Sequence, residues 1–200
     1  MGKLDLDDVI LAIGEGEGGV IQGRTRLQKM AYFVTYLLRD DMAMNPGFTA
    51  HHYGPYSSIL AAAASSAVAR GILVETAEVF PAGDFAGHDM EQKRYSYQIA
   101  STRGEGALKW RKQRAGATYD GAVEIVQRIK NTGTDYRVLS YAAKAHYVLR
   151  QEGKSITRKA ILERAETLGW KLSQEELVAG VSLLVALGLV TANGGNQESS

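Results

Sequence analysis

Apolar residues recur along most of this chain at steps of three and four, and clusters of glycine, asparagine and proline cut it into short amphipathic segments. Leu4, Leu6, Val9, Ile10 and Ile13 predict a first helix, closed by the glycine cluster from Gly14 to Gly19. Leu27, Met30, Ala31, Val34, Leu37 and Leu38 predict a second, opened by a capping box of Thr25 and Gln28 and ended before Asn45-Pro46-Gly47. Phe48 to Tyr53 is short, aromatic and β-prone, and the turn Gly54-Pro55 follows it. From Ser57 or Ser58, the run Ile59, Leu60, Ala63, Ala64, Ala67 and Val68 predicts a third helix, capped by Gly71. Ile72 to Phe80 and Arg94 to Ile99 then read as two strands joined by the polar loop from Pro81 to Lys93.

Helix, helix, strand, helix and a two-stranded wing is the order of a winged helix-turn-helix domain. The expected fold is therefore mainly α with a small β-wing. Beyond the wing, Thr102 to Arg114 and Tyr119 to Lys130 read as helices, and Asn131-Thr132-Gly133 marks a boundary. Tyr136 to Arg150, Thr157 to Leu168, and Gln174 to Leu187 behind a Ser173/Glu176 capping box predict three more, with Gly188 as a cap and a short strand at Val190 and Thr191. Thr25-Arg26 and Thr157-Arg158 each open a helix, so the C-terminal part reads either as a second, reduced winged-helix-like unit or as a plain helical bundle. The division this predicts is a winged helix-turn-helix domain at 1–114, a helical linker at 115–134, a C-terminal helical domain at 135–192 and a disordered tail at 193–200.

Composition narrows the function classes. The 200 residues contain 23 Lys and Arg against 22 Asp and Glu, so a nucleic-acid surface has to come from local clustering. With no cysteine, disulfides, thiol catalysis and Cys-containing zinc sites are excluded. Asp5, Asp7 and Asp8 stand where a secretory signal needs basic residues, and Leu177 to Val190 is too short and too glycine-broken for a membrane span. A soluble, cytoplasmic protein with no membrane partner is expected.

Two blocks carry a family likeness. Gly23-Arg24-Thr25-Arg26-Leu27-Gln28-Lys29-Met30, with Phe48 to Tyr53 leading into Gly54-Pro55-Tyr56-Ser57 and then Arg70-Gly71-Ile72-Leu73, resembles the YwgA-like family of uncharacterised prokaryotic proteins. Tyr95 to Ile99 and the helix after Thr102 look like the wing and following helix of that family, and the likeness spans residues 4 to 112. A more distant likeness is to the Panacea antitoxin domain, although Tyr56-Ser57 follows the turn here where that domain usually has Val. The resemblance implies a winged-helix fold in a setting of prokaryotic gene regulation or defence, and it carries no catalytic residue.

The candidate DNA contacts follow from these elements. Arg24, Arg26 and Lys29 flank the start of the second helix, where backbone N–H groups and cations together hold phosphate. Ser57, Ser58, Ala61, Ala62, Ser65, Ser66 and Arg70 form the outward face of the third helix, which is poor in base-reading side chains and equally suited to packing on a protein partner or second copy. Lys93 and Arg94 supply a basic wing tip. Arg103, Lys109, Arg111, Lys112 and Arg114 give a locally basic helix, and Trp110 reads as core or interface. Tyr53-Gly54-Pro55-Tyr56 reads as a structural turn packing the wing on the helices. His51 and His52, adjacent on the expected strand, point to opposite faces, and His88, Asp89 and Glu91 lie in a loop without a further ligand pair, so no metal site is expected. The glycines from Gly14 to Gly19 follow a helix rather than a strand, and no nucleophile elbow or zinc-protease motif occurs. The sequence thus points to a non-enzymatic, cofactor-free winged-helix protein that binds duplex DNA as a transcriptional regulator. The alternative is a protein-interaction module such as an antitoxin-like or defence-system subunit.

Overall fold

The computed structural model describes residues 2–80, 92–153 and 156–191, and the side chains of 79, 80, 92 and 93 lie outside the description. The side chain of Lys93 at the expected basic wing tip, the loop residues His88, Asp89 and Glu91, and the tail at 193–200 therefore fall outside the description.

The fold is mainly α-helical with a small, open, three-stranded antiparallel sheet. Helix α1 spans Leu6–Gly16, strand β1 Val20–Ile21, α2 Arg24–Leu37, and a 3-10 turn covers Arg39–Asp41. Next come α3 (Ser58–Ala69), β2 (Leu73–Phe80), β3 (Gln92–Ile99), α4 (Arg103–Ala115) and α5 (Ala117–Asn131). Helices α6 (Tyr136–Glu152), α7 (Arg158–Thr167) and α8 (Gln174–Ala186) complete it. In the sheet β3 is central: it pairs with β2 from Leu73↔Ile99 to Phe80↔Gln92, and with β1 through Val20↔Gln98 and Ile21↔Tyr97.

Helix α1 is almost wholly buried, with Val9, Ile10, Leu11, Ala12 and Ile13 at 0–1% exposure, because α2, α3, α5 and β3 all pack around it. A helix enclosed on every side needs apolar residues all round, which the run Val9 to Ile13 supplies. Its start is fixed by a reciprocal capping box of Asp5 and Asp8. Its end overturns one expectation, since the helix runs through Gly14 and Gly16 instead of stopping at them. Gly16 lies so close to α5 that a Cβ there would stand 2.6 Å from Val126, so the missing side chain serves helix contact rather than a turn.

Three further expectations are corrected. The short strand falls at Val20–Ile21, whereas Phe48 to Tyr53 is a loop with one isolated bridge, Thr49↔Tyr56, so His51 and His52 lie outside any strand with their rings 5.1 Å apart. Val190 and Thr191 form no strand. Thr25 and Gln28 form no capping box, because α2 begins after Gly23 without a side-chain cap and Gln28 is committed elsewhere. The Ser173/Glu176 capping box is present. Ala117–Asn131, in the segment that reads as a linker, buries Tyr119, Ala122, Val126 and Ile129, and α5 packs on α1. Helix α6 packs on α2 on one side and on α7 and α8 on the other.

Candidate nucleic-acid interface

The two sequence blocks meet in space. The Gln28 amide on α2 reads the backbone of Ser57 from both sides: Nε2 donates to the Ser57 carbonyl at 3.0 Å, and the Ser57 N–H donates to Oε1 at 2.9 Å. From the next residue along α2, Lys29 Nζ donates to the Pro55 carbonyl at 2.7 Å. Ser57 in turn caps α3, accepting from the Leu60 N–H at 3.0 Å while its hydroxyl donates to the Pro46 carbonyl at 2.5 Å. Gly54, at φ +99, lets the turn pass against the Lys29 and Lys144 side chains, whose carbons would stand 3.3 and 3.1 Å from a Cβ there. From the C-terminal side, the indole of buried Trp170 donates to the His51 carbonyl at 2.6 Å. The Tyr-Gly-Pro-Tyr turn is thus structural, as expected, but it joins α2, α3 and α6 rather than packing the wing.

This clamp fixes the start of α3, whose buried side is Leu60, Ala64 and Ala67. Its open side carries Ser58, Ile59, Ala62, Ser65, Ser66, Ala69 and Arg70. At its C-terminal end Arg70 Nη2 donates to both carboxylate oxygens of Asp7, at 2.8 and 2.7 Å, and Arg103 Nη1 donates to the Arg70 carbonyl at 3.3 Å.

The expected contact residues divide sharply. Lys29 and Ser57 are buried with their polar atoms bound internally, and Arg26, with a side chain only 12% exposed, pairs with Glu17. All three are committed to partners within the fold. Arg24 is open, its side chain 55% exposed; it pairs with Glu75 at 2.9 Å and lies 3.5 Å over the Tyr95 ring. Arg94 stands across from Glu78 in the β2–β3 register. Ser58, Arg70 and Arg103 remain at the surface.

The basic helix α4 is a correction. Arg111 Nη1 donates to Asp5 at 2.6 Å and to the fully buried Asp8 at 2.7 Å, and its Nη2 donates to Asp7 at 2.9 Å. Arg114 reaches the second oxygen of Asp8, and Lys112 pairs with Glu15. Arg111 and Arg114 neutralise the acidic start of α1 and Lys112 pairs near its end, so these three cations are committed within the fold. Burial raises the Asp5 carboxyl, but the Asp8 N–H and the Arg111 guanidinium outweigh it and hold Asp5 below the ordinary carboxylate range. Trp110 is 55% exposed, so it is not core.

Lys29 is the most perturbed cation. Burial, reinforced by the like charge of Lys144 on α6, pushes it down to about 7. The sequence reads Lys29 as a phosphate contact at the start of α2 and gives no sign that its partner is the Pro55 carbonyl. The clamp role of Gln28 is absent from the sequence reading; a polar residue beside the apolar stripe of α2 is the only signal that points to it.

Among the described residues, no cluster of three His, Asp or Glu is arranged to hold a metal, and no helix is long and apolar enough to cross a membrane. A comparison with protein-family models finds no match to this chain, and a comparison with curated proteins finds none either.

Proposed function

We propose that this chain is a winged-helix DNA-binding protein of a regulatory kind, which presents α3 to duplex DNA and needs neither catalysis nor a cofactor. The observation that carries the reading is the element order. Helices α1, α2 and α3 interleaved with β1, then antiparallel β2 and β3 with β3 central, follow the order expected of a winged helix-turn-helix domain, and on this reading α3 serves as the recognition helix. The likeness of the two motif blocks to the YwgA-like family supports the same setting, since those blocks are the parts that lock α3 in position.

The chemistry of the open side favours backbone recognition over base reading. Ser58, Ser65 and Ser66 offer hydroxyls to phosphate, and only Arg70 among them makes a bidentate base contact readily. Arg24 and Arg70 sit in exposed ion pairs, worth about 0–1 kcal/mol each, so exchange of a carboxylate for a phosphate is inexpensive. The expected binding is strongly salt-dependent with little sequence preference.

The test is fluorescence anisotropy of a labelled duplex at low ionic strength, with the full chain and the double variant Ala62→Glu, Ser65→Glu. Both positions face outward on α3, so added charge repels phosphate without touching the core. Binding by the wild type and its loss in the variant is expected; no binding at low salt, or equal binding by both, removes the reading. Ile59, 43% exposed beside Ala62 on that side, favours a second reading, a protein interface built on α3. A concentration-dependent oligomer dispersed by Ile59→Glu is its signature.

A further inference from the structure

A cleft of about 730 Å³ opens between the C-terminal halves of α2 and α6 and the segment 39–48. Its inner wall is aromatic. The Tyr32 and Phe48 rings meet edge to face at 5.2 Å, the Tyr36 ring lies 4.4 Å from that of His146, and Tyr147 closes one side. Tyr32 and His146 are buried and hydrogen-bonded to one another, the hydroxyl 2.9 Å from Nδ1. Burial and then the neighbouring Arg150 push His146 down to about 4, so the ring is neutral at physiological pH.

The cleft's cation is Arg150. Its guanidinium lies 4.6 Å over the Tyr36 ring and acts on the Tyr32 hydroxyl, and among the described residues no carboxylate stands within 4.0 Å of it. Arg39, on the rim, is 3.8 Å from Asp40, the cleft's own carboxylate, and both side chains are largely exposed. An arginine spread on an aromatic face, beside an aromatic-walled space of ligand size and without a carboxylate of its own, is built to receive an anion on a flat apolar body.

We infer that this cleft binds a small aromatic organic anion, its carboxylate or phosphate on Arg150 and its ring between Tyr36, Phe48 and Tyr147. The site is separate from the outward side of α3 and does not rest on the DNA reading. It is nevertheless connected to α3: Pro46 lines the cleft, and its carbonyl holds the Ser57 hydroxyl that caps that helix. A ligand seated against Pro46 presses on the segment that fixes where α3 begins.

The test is isothermal titration of the full chain with 2-naphthoate, 2-naphthyl phosphate and the neutral 2-naphthamide, repeated with Arg150→Gln and with Arg158→Gln, an exposed arginine on α7. At least one anion binds, which one telling carboxylate from phosphate, and the amide binds about tenfold more weakly or not at all. Arg150→Gln weakens the anion by about tenfold or more, while Arg158→Gln leaves it unchanged. Circular dichroism of Arg150→Gln checks that the exposed substitution leaves the fold intact. Failure of both anions at millimolar concentration, equal binding of anion and amide, or wild-type affinity in Arg150→Gln overturns the assignment.

Discussion

Substituting Lys29 by methionine separates the two things this side chain does. Lys29 is 2% exposed, donates to the Pro55 carbonyl at 2.7 Å and titrates near 7, against 10.5 for an ordinary lysine. The unfolded chain therefore holds a proton on Lys29 between pH 7 and 10.5 that the folded chain has begun to release. Stability rises with pH wherever the unfolded state binds more protons, so the burden of this group is largest at and below pH 7 and is relieved as pH climbs. One proton gives a limiting slope of about 1.36 kcal/mol per pH unit, and integrating with these two values gives a gain of about 2 kcal/mol between pH 7 and pH 9.

A methionine at this position has no charge to desolvate but leaves the buried Pro55 carbonyl without its donor, at a cost of about 1–3 kcal/mol. The burden relieved at pH 7 is about 4 kcal/mol, so Lys29→Met is expected to be more stable than wild type there by about 1–3 kcal/mol, and within about 1 kcal/mol of it near pH 9. Urea denaturation of both proteins from pH 6.5 to 9.5 reads this directly, and subtracting the two curves cancels the titrating groups that do not couple to Lys29, including Tyr97, which burial and Glu75 push up to about 12. A difference that stays constant across that range means Lys29 titrates as a solvated lysine, and the account of the clamp fails.

Gln28→Leu removes both hydrogen bonds to the buried Ser57 backbone, and a loss of about 2–4 kcal/mol with early exchange of amides at the start of α3 is expected by hydrogen exchange. Arg111→Met leaves Asp8 buried with Arg114 alone, so a loss of about 3 kcal/mol is expected in the same denaturation assay. Gly16→Ala forces a Cβ to within 2.6 Å of Val126 and lowers stability by about 1–3 kcal/mol despite alanine's better helix propensity, seen as a lower Tm. His146, held near 4, stays neutral in the folded chain while the unfolded chain protonates below 6.5, so it withdraws up to about 3 kcal/mol of stability as pH falls from 6.5 to 4; His146→Gln lacks that component.

What the sequence made legible follows from how local each signal is. Periodicity located the cores of α1, α2 and α3 because each buries apolar residues at steps of three and four against neighbours, and the Ser173/Glu176 capping box holds because both of its partners lie within one turn. Val20–Ile21 escaped because two residues have no period; only pairing with Gln98 and Tyr97, far along the chain, makes them a strand. Thr25 and Gln28 misled because the capping spacing was present while a competing partner, the Ser57 backbone 29 residues away, takes the Gln28 amide. The same non-locality redirects the charges: Arg111 and Arg114 read as part of a locally basic helix open to DNA, yet they neutralise Asp5, Asp7 and Asp8 across the fold.

That redistribution changes what a near-neutral chain can offer a polyanion. Once Arg111 and Arg114 are bound to the start of α1, Arg26 to Glu17 and Lys29 to Pro55, the cations still exposed near α3 are few, and Arg70 and Arg24 each carry a carboxylate of their own. The proposed phosphate contact therefore requires exchange of partners, and exchange conserves much of the local charge balance. On the proposed reading, the DNA affinity expected from such exchange is modest, and an element that shifts the start of α3 is expected to act on it. The Gln28–Ser57–Pro46 chain is such an element, since it joins the cap of α3 to the wall of the Arg150 cleft through three consecutive hydrogen-bonded residues.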